Sequence, residues 1–347
     1  MTTNRIEIQN LRGISILSVF LFHLFPSTFK NGYIGVDVFF VISGYLITQQ
    51  LLKTKKLSLS EYLTYFYFRR IKRIIPAALS AITLTLIAAY ALLGIITLVQ
   101  NLESASWANL FAANWFFLDQ NLDYFAAGQL QLLQHYWSLA IEEQFYLIWP
   151  VLLYFNKSRL LFPITLLITS LGTFIASGYP GNFFGAQARA WELLAGSLLA
   201  IRPLKIKFLI GSWFPWIFVL ISILPFVISR EILVIASVVM ATLYLAAAKS
   251  LLKSGPIYKL GQISFSLYLI HYPVILIFDE LYPSTTAWIR VLAISITVAI
   301  ATLFNYKFVE NFFRYRTYKK QKKVIFSGLL AILILQMTIL AIRSYYV

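Results

Sequence analysis

Residues 69–97 read RRIKRIIPAALSAITLTLIAAYALLGIIT. Arg69, Arg70, Lys72 and Arg73 crowd the start, and from Ile74 to Thr97 no charged residue follows. A helix rises about 1.5 Å per residue, so about 20 apolar residues cross a hydrocarbon core of about 30 Å. The stretch therefore reads as a membrane-spanning helix with a basic anchor at one end. Similar apolar runs recur along the chain.

Composition supports this reading over the whole length. The 347 residues are 60% hydrophobic, 17% aromatic and only 12% charged, with a mean hydropathy of +0.77, whereas soluble domains are roughly 45–50% apolar. The absence of cysteine excludes disulfides, thiolate nucleophiles and cysteine-based metal sites. Three histidines argue against a His-rich metal centre. The net charge of +16 does not point to nucleic acid, because the basic residues sit between apolar runs, where they set topology and meet anionic lipid. The opening MTTNRIEIQNLRGISILSVFLFHLF has no small-residue cleavage site after its apolar run and reads as a retained first span.

Apolar segments fall near 11–29, 34–52, 74–97, 137–155, 161–178, 187–201, 208–228, 231–248, 261–279, 288–309 and 324–342. The expected fold is an all-α polytopic bundle of about eleven spans. With the N-terminus inside and the C-terminus outside, all of the 29 basic residues except Lys30, Arg189, Arg230, Arg290 and Arg343 lie on the cytoplasmic side, as the positive-inside rule requires. Residues 53–68 are expected as an amphipathic cytoplasmic loop. Segment 98–134 has no Lys or Arg but is rich in aromatics. It is expected as short helices over the outer mouth, with Trp107, Trp115 and Tyr124 at the interface, forming either a lid or a packing element. The expected domain organisation is one transmembrane domain over 1–347.

Ionisable residues inside spans are costly and mark function or buried pairing. In HYWSLAIEEQFYLIWP, residues 135–150, the spacing of His135, Ser138, Glu142, Phe145 and Trp149 forms one helical stripe expected to face the bundle interior. His135 is expected at the outer surface, with Glu142 and Glu143 about 10–12 Å deeper. In the first span Arg12, Ser15, Val19 and His23 share a face. A neutral imidazole there suits a general base, although a core histidine bonded to a carbonyl fits too. Asp37, in GYIGVDVFFVISGYLI, is the nearest candidate to orient that ring, and Gly35 and Gly44 leave room for close helix approach. Arg69 and Arg73 at i, i+4 share a face suited to clasping phosphate or to anchoring in lipid headgroups. Arg189 and Glu192 are spaced to pair at i, i+3, and His271 falls mid-membrane in the ninth span.

Six motifs in order, LRGISILSVFLFH, GYIGVDVFFVISGYLIT, FYFRRIKRIIPA, HYWSLAIEEQFYLIWP, RAWELLAGSLLA and ISFSLYLIHYPV, resemble those of the membrane-bound acyltransferase-3 family. They are most similar to its branch of lipopolysaccharide O-antigen and peptidoglycan O-acetylases. The resemblance implies a multi-pass protein of the bacterial inner membrane that moves an acyl group, most often acetyl, from cytoplasmic acyl-coenzyme A to a hydroxyl of a cell-surface carbohydrate or lipid-linked glycan. It implies that His23 is catalytic and Arg12 a donor-side residue. It further makes Arg69, Arg70 and Arg73 contacts to coenzyme A phosphates, and Asp37 and Glu143 supporting polar residues. No tightly bound cofactor or metal is implied, since acetyl-coenzyme A is a substrate. Many members of the branch carry an extracytoplasmic SGNH-type domain after the last span. None lies within these residues, so such a domain would be a partner or part of a longer chain. A proton-coupled transporter is the competing class, but it calls for repeated halves with paired broken helices, and no internal repeat is visible.

Overall fold

The computed structural model describes residues 5–125, 130–156, 160–179, 181–204, 217–223, 229–247 and 254–346. Among them every regular element is helical: α1 (Ile6–Leu24), α2 (Gly35–Thr54), α3 (Leu59–Ala88), α4 (Ile95–Asn109), α5 (Ala113–Asp119), α6 (Tyr136–Phe155), α7 (Leu161–Ser177), α8 (Gly181–Phe184), α9 (Ala186–Ile201), α10 (Arg230–Ala247), α11 (Pro256–Leu281), α12 (Ala287–Phe304), α13 (Asn311–Tyr315) and α14 (Gln321–Tyr346). Among the described residues six helical stretches are long and apolar enough to cross a membrane: Gly32–Thr54, Leu59–Leu93, Arg230–Ala247, Pro256–Leu281, Ala287–Tyr315 and Gln321–Tyr346. Of the other expected segments, α7 and α9 are shorter, at 17 and 16 residues. Segment 208–228 lies largely outside the described residues.

Two boundaries differ from the sequence reading. Residues 59–68, expected in a loop, form the first turns of α3. The start is fixed by Ser58, whose hydroxyl accepts from the Glu61 N–H while the Glu61 carboxylate accepts from the Ser58 N–H, a reciprocal cap that satisfies two orphan donors. The basic cluster therefore lies inside a helix rather than ahead of one. At the other end the apolar run does not continue unbroken to residue 97. A π-turn at Ala89–Leu93 is followed by Gly94 at φ +88°, a conformation that a side chain resists, and the chain restarts as α4.

The chain divides into two compact units, residues 1–56 with 145–264 and residues 57–144 with 265–347. In the first unit α2 lies directly on α9. A Cβ on Gly44 would stand 1.8 Å from the Leu193 carbonyl oxygen, and one on Gly196 would stand 2.0 Å from that of Val41. Backbone therefore meets backbone with no side chain between, the small-residue packing that membrane helices use in place of hydrophobic drive. Gly13 and Gly261 seat α1 against the start of α11 in the same way, with Cβ-to-carbonyl distances of 2.0 and 1.9 Å. The sequence expectation for Gly35 and Gly44 is met, since a Cβ on Gly35 would stand 2.4 Å from the Ser15 carbonyl oxygen.

In the second unit α14 packs on α3 and α4 through polar ties. Asn109 donates to the Ile332 carbonyl at 3.0 Å and to Gln336 Oε1 at 2.9 Å, and Arg343 reaches Glu103 at 3.0 Å. Segment 98–134 does contain the expected short helices, α4 and α5, with Trp107 and Trp115 exposed. Gln144 ties this segment down by donating to the Phe111 carbonyl at 3.0 Å and to Asn114 Oδ1 at 2.8 Å.

Candidate active site

The first unit holds His23, Arg12 and Asp37. His23 stands in the last turn of α1, half-buried, its ring edge-on to Phe22 with centroids 4.9 Å apart. Arg12 is buried eleven residues earlier in the same helix. Eleven residues at 100° each return close to the starting direction, so both side chains leave α1 on one face, about 16–17 Å apart along its axis.

Asp37 opens α2 and is fully buried. Its carboxylate is engaged by Arg189 of α9, whose other amino group lies 3.1 Å from Glu192. The i, i+3 pair read from sequence is thus present, with a third member. The expectation that Asp37 would orient the His23 ring gives way to this ion pair: a buried guanidinium is the stronger electrostatic partner for a carboxylate at this depth. Phe40, Phe174 and Phe183 enclose the guanidinium, their ring centroids 5.8, 6.0 and 5.8 Å from its central carbon. With both carboxylates ionised the cluster carries net negative charge. It locks α2 to α9, the two helices that the glycines bring together.

The second unit holds Arg69, Arg70, Arg73 and Glu143. Arg69 is exposed, donating to the Tyr65 hydroxyl at 3.0 Å from above its ring. Arg70 lies over the Phe66 ring at 5.8 Å. Arg70 and Arg73 both lie within electrostatic reach of Glu143. Arg69, Arg70 and Arg73 thus stand together on α3, Arg70 and Arg73 on the side nearer Glu143. Glu143 Oε1 is buried without a hydrogen-bond partner among the described residues.

A second polar cluster beside these arginines escaped the sequence reading. Glu310, buried in the π-turn Asn305–Glu310, accepts from Ser266 at 2.7 Å and pairs with Arg314 at 3.4 Å, and Arg314 in turn feels the charge of Arg73. The i, i+4 spacing of Glu310 and Arg314 was the signal in the sequence.

The stripe on α6 faces inward at His135, Ser138 and Trp149, as expected. His135, expected at the outer surface, is instead completely enclosed. Its Nε2 meets the Leu269 carbonyl at 3.2 Å, and its ring packs against those of Tyr268, Tyr272 and His271. Aromatic side chains from α11 roof the start of α6 and exclude water from it. His271 Nδ1 lies 3.0 and 2.9 Å from the carbonyls of Leu267 and Tyr268 in its own helix. The Tyr268 hydroxyl donates to the His135 carbonyl at 2.7 Å and lies 2.6 Å from Ser138 Oγ. Both histidines are thus members of a hydrogen-bonded core. Among the described residues no group of three or more His, Asp or Glu side chains is placed to hold a metal ion.

Buried arginines and carboxylates in an apolar helical chain, with a half-buried histidine on the face of α1 that also carries Arg12, mark a candidate functional site. The chain matches the family described as "Acyltransferase domain" over residues 5–306. It belongs to this acyltransferase-3 family. Among curated relatives, the O-acetyltransferase OatA of Staphylococcus aureus (strain MRSA252) is 30% identical over 98% of this chain and 63% of its own length. The peptidoglycan O-acetyltransferase OatA of Listeria monocytogenes serovar 1/2a is 32% identical over 88% of this chain and 55% of its own. The chain thus spans about three fifths of the length of these relatives. No solved structure matches it.

Proposed function

We propose that this chain is a multi-pass O-acetyltransferase of the bacterial cytoplasmic membrane, taking an acetyl group from acetyl-coenzyme A on the cytoplasmic side. The acceptor is a hydroxyl of a cell-surface carbohydrate at the outer face, of the peptidoglycan class that the Listeria relative's name gives. Family membership supports the reaction type. The observation that carries the residue assignment is the shared face of α1, with Arg12 buried at one level and His23 half-buried about 16–17 Å further along. An extended pantetheine arm is about 15–20 Å long, from the bond lengths that give a peptide about 3.5 Å per residue. Arg12 on the donor side and His23 at the thioester match the two ends of that arm.

In this reading His23 removes the proton of the attacking hydroxyl as its oxygen bonds to the acetyl carbonyl carbon. The carbon–sulfur bond then breaks, and the departing thiolate takes the proton from His23, so the imidazole ends neutral. A covalent acyl-histidine is the second-ranked route. Arg69, Arg70 and Arg73 neutralise phosphates at the nucleotide end, with Glu143 as a supporting polar residue. Asp37 supports the fold through Arg189. On the acceptor side, exposed Trp107 and Trp115 border a cavity of about 480 Å³ with Glu103, Asp119 and Gln120, a combination of aromatic faces and hydrogen-bonding groups suited to sugars. An SGNH-type domain or protein would act as a further partner on that side.

Coenzyme A binding to the purified protein tests the donor assignment. Charge-assisted hydrogen bonds contribute about 1.5–3 kcal/mol each, so Arg70→Gln with Arg73→Gln should weaken binding more than tenfold without unfolding the protein. Unchanged binding would reduce the arginines to lipid anchors.

A further inference from the structure

A groove of about 680 Å³ lies in the second unit between α3, the end of the π-turn with α13, and α14, within the size range of small-molecule sites. Its lining separates by chemistry along both long helices. On α14 and the residues just before it, Lys319, Lys320 and Lys323 come first, then Ser327, Gly328 and Ala331. On α3, Lys72 comes first, then Ile75, Pro76 and Leu79. From lysine end to apolar end each wall is about 10–12 Å long. No acidic side chain lines the groove.

Local structure shapes this cleft. A Cβ on Gly328 would stand 2.4 Å from the Ile71 side chain, so α14 meets α3 closely at the cleft wall. Pro76 supplies no N–H and loosens the turn at Lys72. Lys72 lies over the Phe68 ring at 4.9 Å, and its Nζ points to the Arg316 carbonyl at 3.5 Å, which gathers the charge at one end. α14 itself exposes most of its apolar side chains, including Phe326, Leu329, Leu330, Leu333 and Ile334. The groove thus opens on a surface that faces acyl chains.

We infer that this groove is a binding site for one anionic phospholipid, with an acyl chain between α3 and α14 and the headgroup phosphate on Lys72, Lys319, Lys320 and Lys323. Four ammonium groups with no carboxylate match a phosphate, and the apolar depth below them matches an acyl chain rather than a soluble nucleotide. The arginines assigned to the donor are not in the lining, so the site does not depend on the function proposed above.

The test is native mass spectrometry of the whole chain released from nanodiscs of phosphatidylglycerol or of phosphatidylcholine. The wild-type protein should retain one phosphatidylglycerol and shed phosphatidylcholine. Each basic residue near an anionic surface contributes roughly fivefold to binding. Lys319→Gln, Lys320→Gln and Lys323→Gln together should therefore lower phosphatidylglycerol retention at least tenfold, with unchanged thermal stability and coenzyme A affinity. Ala331→Phe, which fills the apolar end, should lower retention with the lysines intact. Equal retention of the two lipids, undiminished retention in the lysine variant, or displacement of the lipid by equimolar coenzyme A would each overturn the assignment.

Discussion

Arg189 is 2% exposed, between two carboxylates and within a wall of phenyl rings. Removing one member of a buried ion pair leaves an uncompensated charge, at about 3–5 kcal/mol, whereas replacing the set with apolar groups is often tolerated. Arg189→Met should therefore unfold the protein at a markedly lower temperature, and adding Asp37→Leu with Glu192→Leu should recover a large part of the loss. Thermal denaturation of the variants in detergent checks this, and additive losses would mean that the three residues do not act as a cluster. The pairing of Arg189 with Glu192 was legible from their spacing. That Asp37, 152 residues away, completes the set was not, because no local period links them. The two core histidines make the same point. His135→Ala and His271→Ala each strip hydrogen bonds from an enclosed polar core and should cost stability, at about 1–3 kcal/mol. They should retain measurable transfer, because both rings are enclosed in the core, away from any attacking hydroxyl; loss of transfer by a stably folded variant of either would reopen the choice of catalytic histidine.

At the scale of helices, the paired glycines carry the tightest prediction. Gly44→Leu has no space, since even its Cβ would collide with the Leu193 carbonyl, and backbone cannot yield as a flexible side chain does. The variant should fail to accumulate as folded protein, while Leu at Gly172, where a Cβ would meet nothing, should be accepted. Size-exclusion profiles of the two variants check this, and a normal profile for Gly44→Leu would show that α2 and α9 do not pack so closely. Hydropathy revealed that these helices exist but not where they stop. The Ser58–Glu61 cap was visible in SLSE, yet the polar sequence around it read as a loop. The break at Gly94 was hidden inside a continuous apolar run, because hydropathy does not register backbone angle. Helical spacing put Arg69 with Arg73; it did not show that Arg69 donates to Tyr65 or that Arg70 and Arg73 lie within electrostatic reach of Glu143.

For the whole molecule, composition, the six ordered motifs and the bias of Lys and Arg together led to a multi-pass acyltransferase, and the family match bears out the class. The proposed orientation expects reporters fused before Met1 to behave as cytoplasmic and reporters after Val347 as external. The opposite pattern would invert the donor and acceptor sides. The central claim is transfer to an outer-face hydroxyl through His23, and proteoliposomes with glycan enclosed and radiolabelled acetyl-coenzyme A added outside measure it directly. The wild-type protein should label the enclosed glycan, and His23→Ala, incorporated to the same level and still binding coenzyme A, should leave it unlabelled. Labelling by His23→Ala at the wild-type rate would contradict the account.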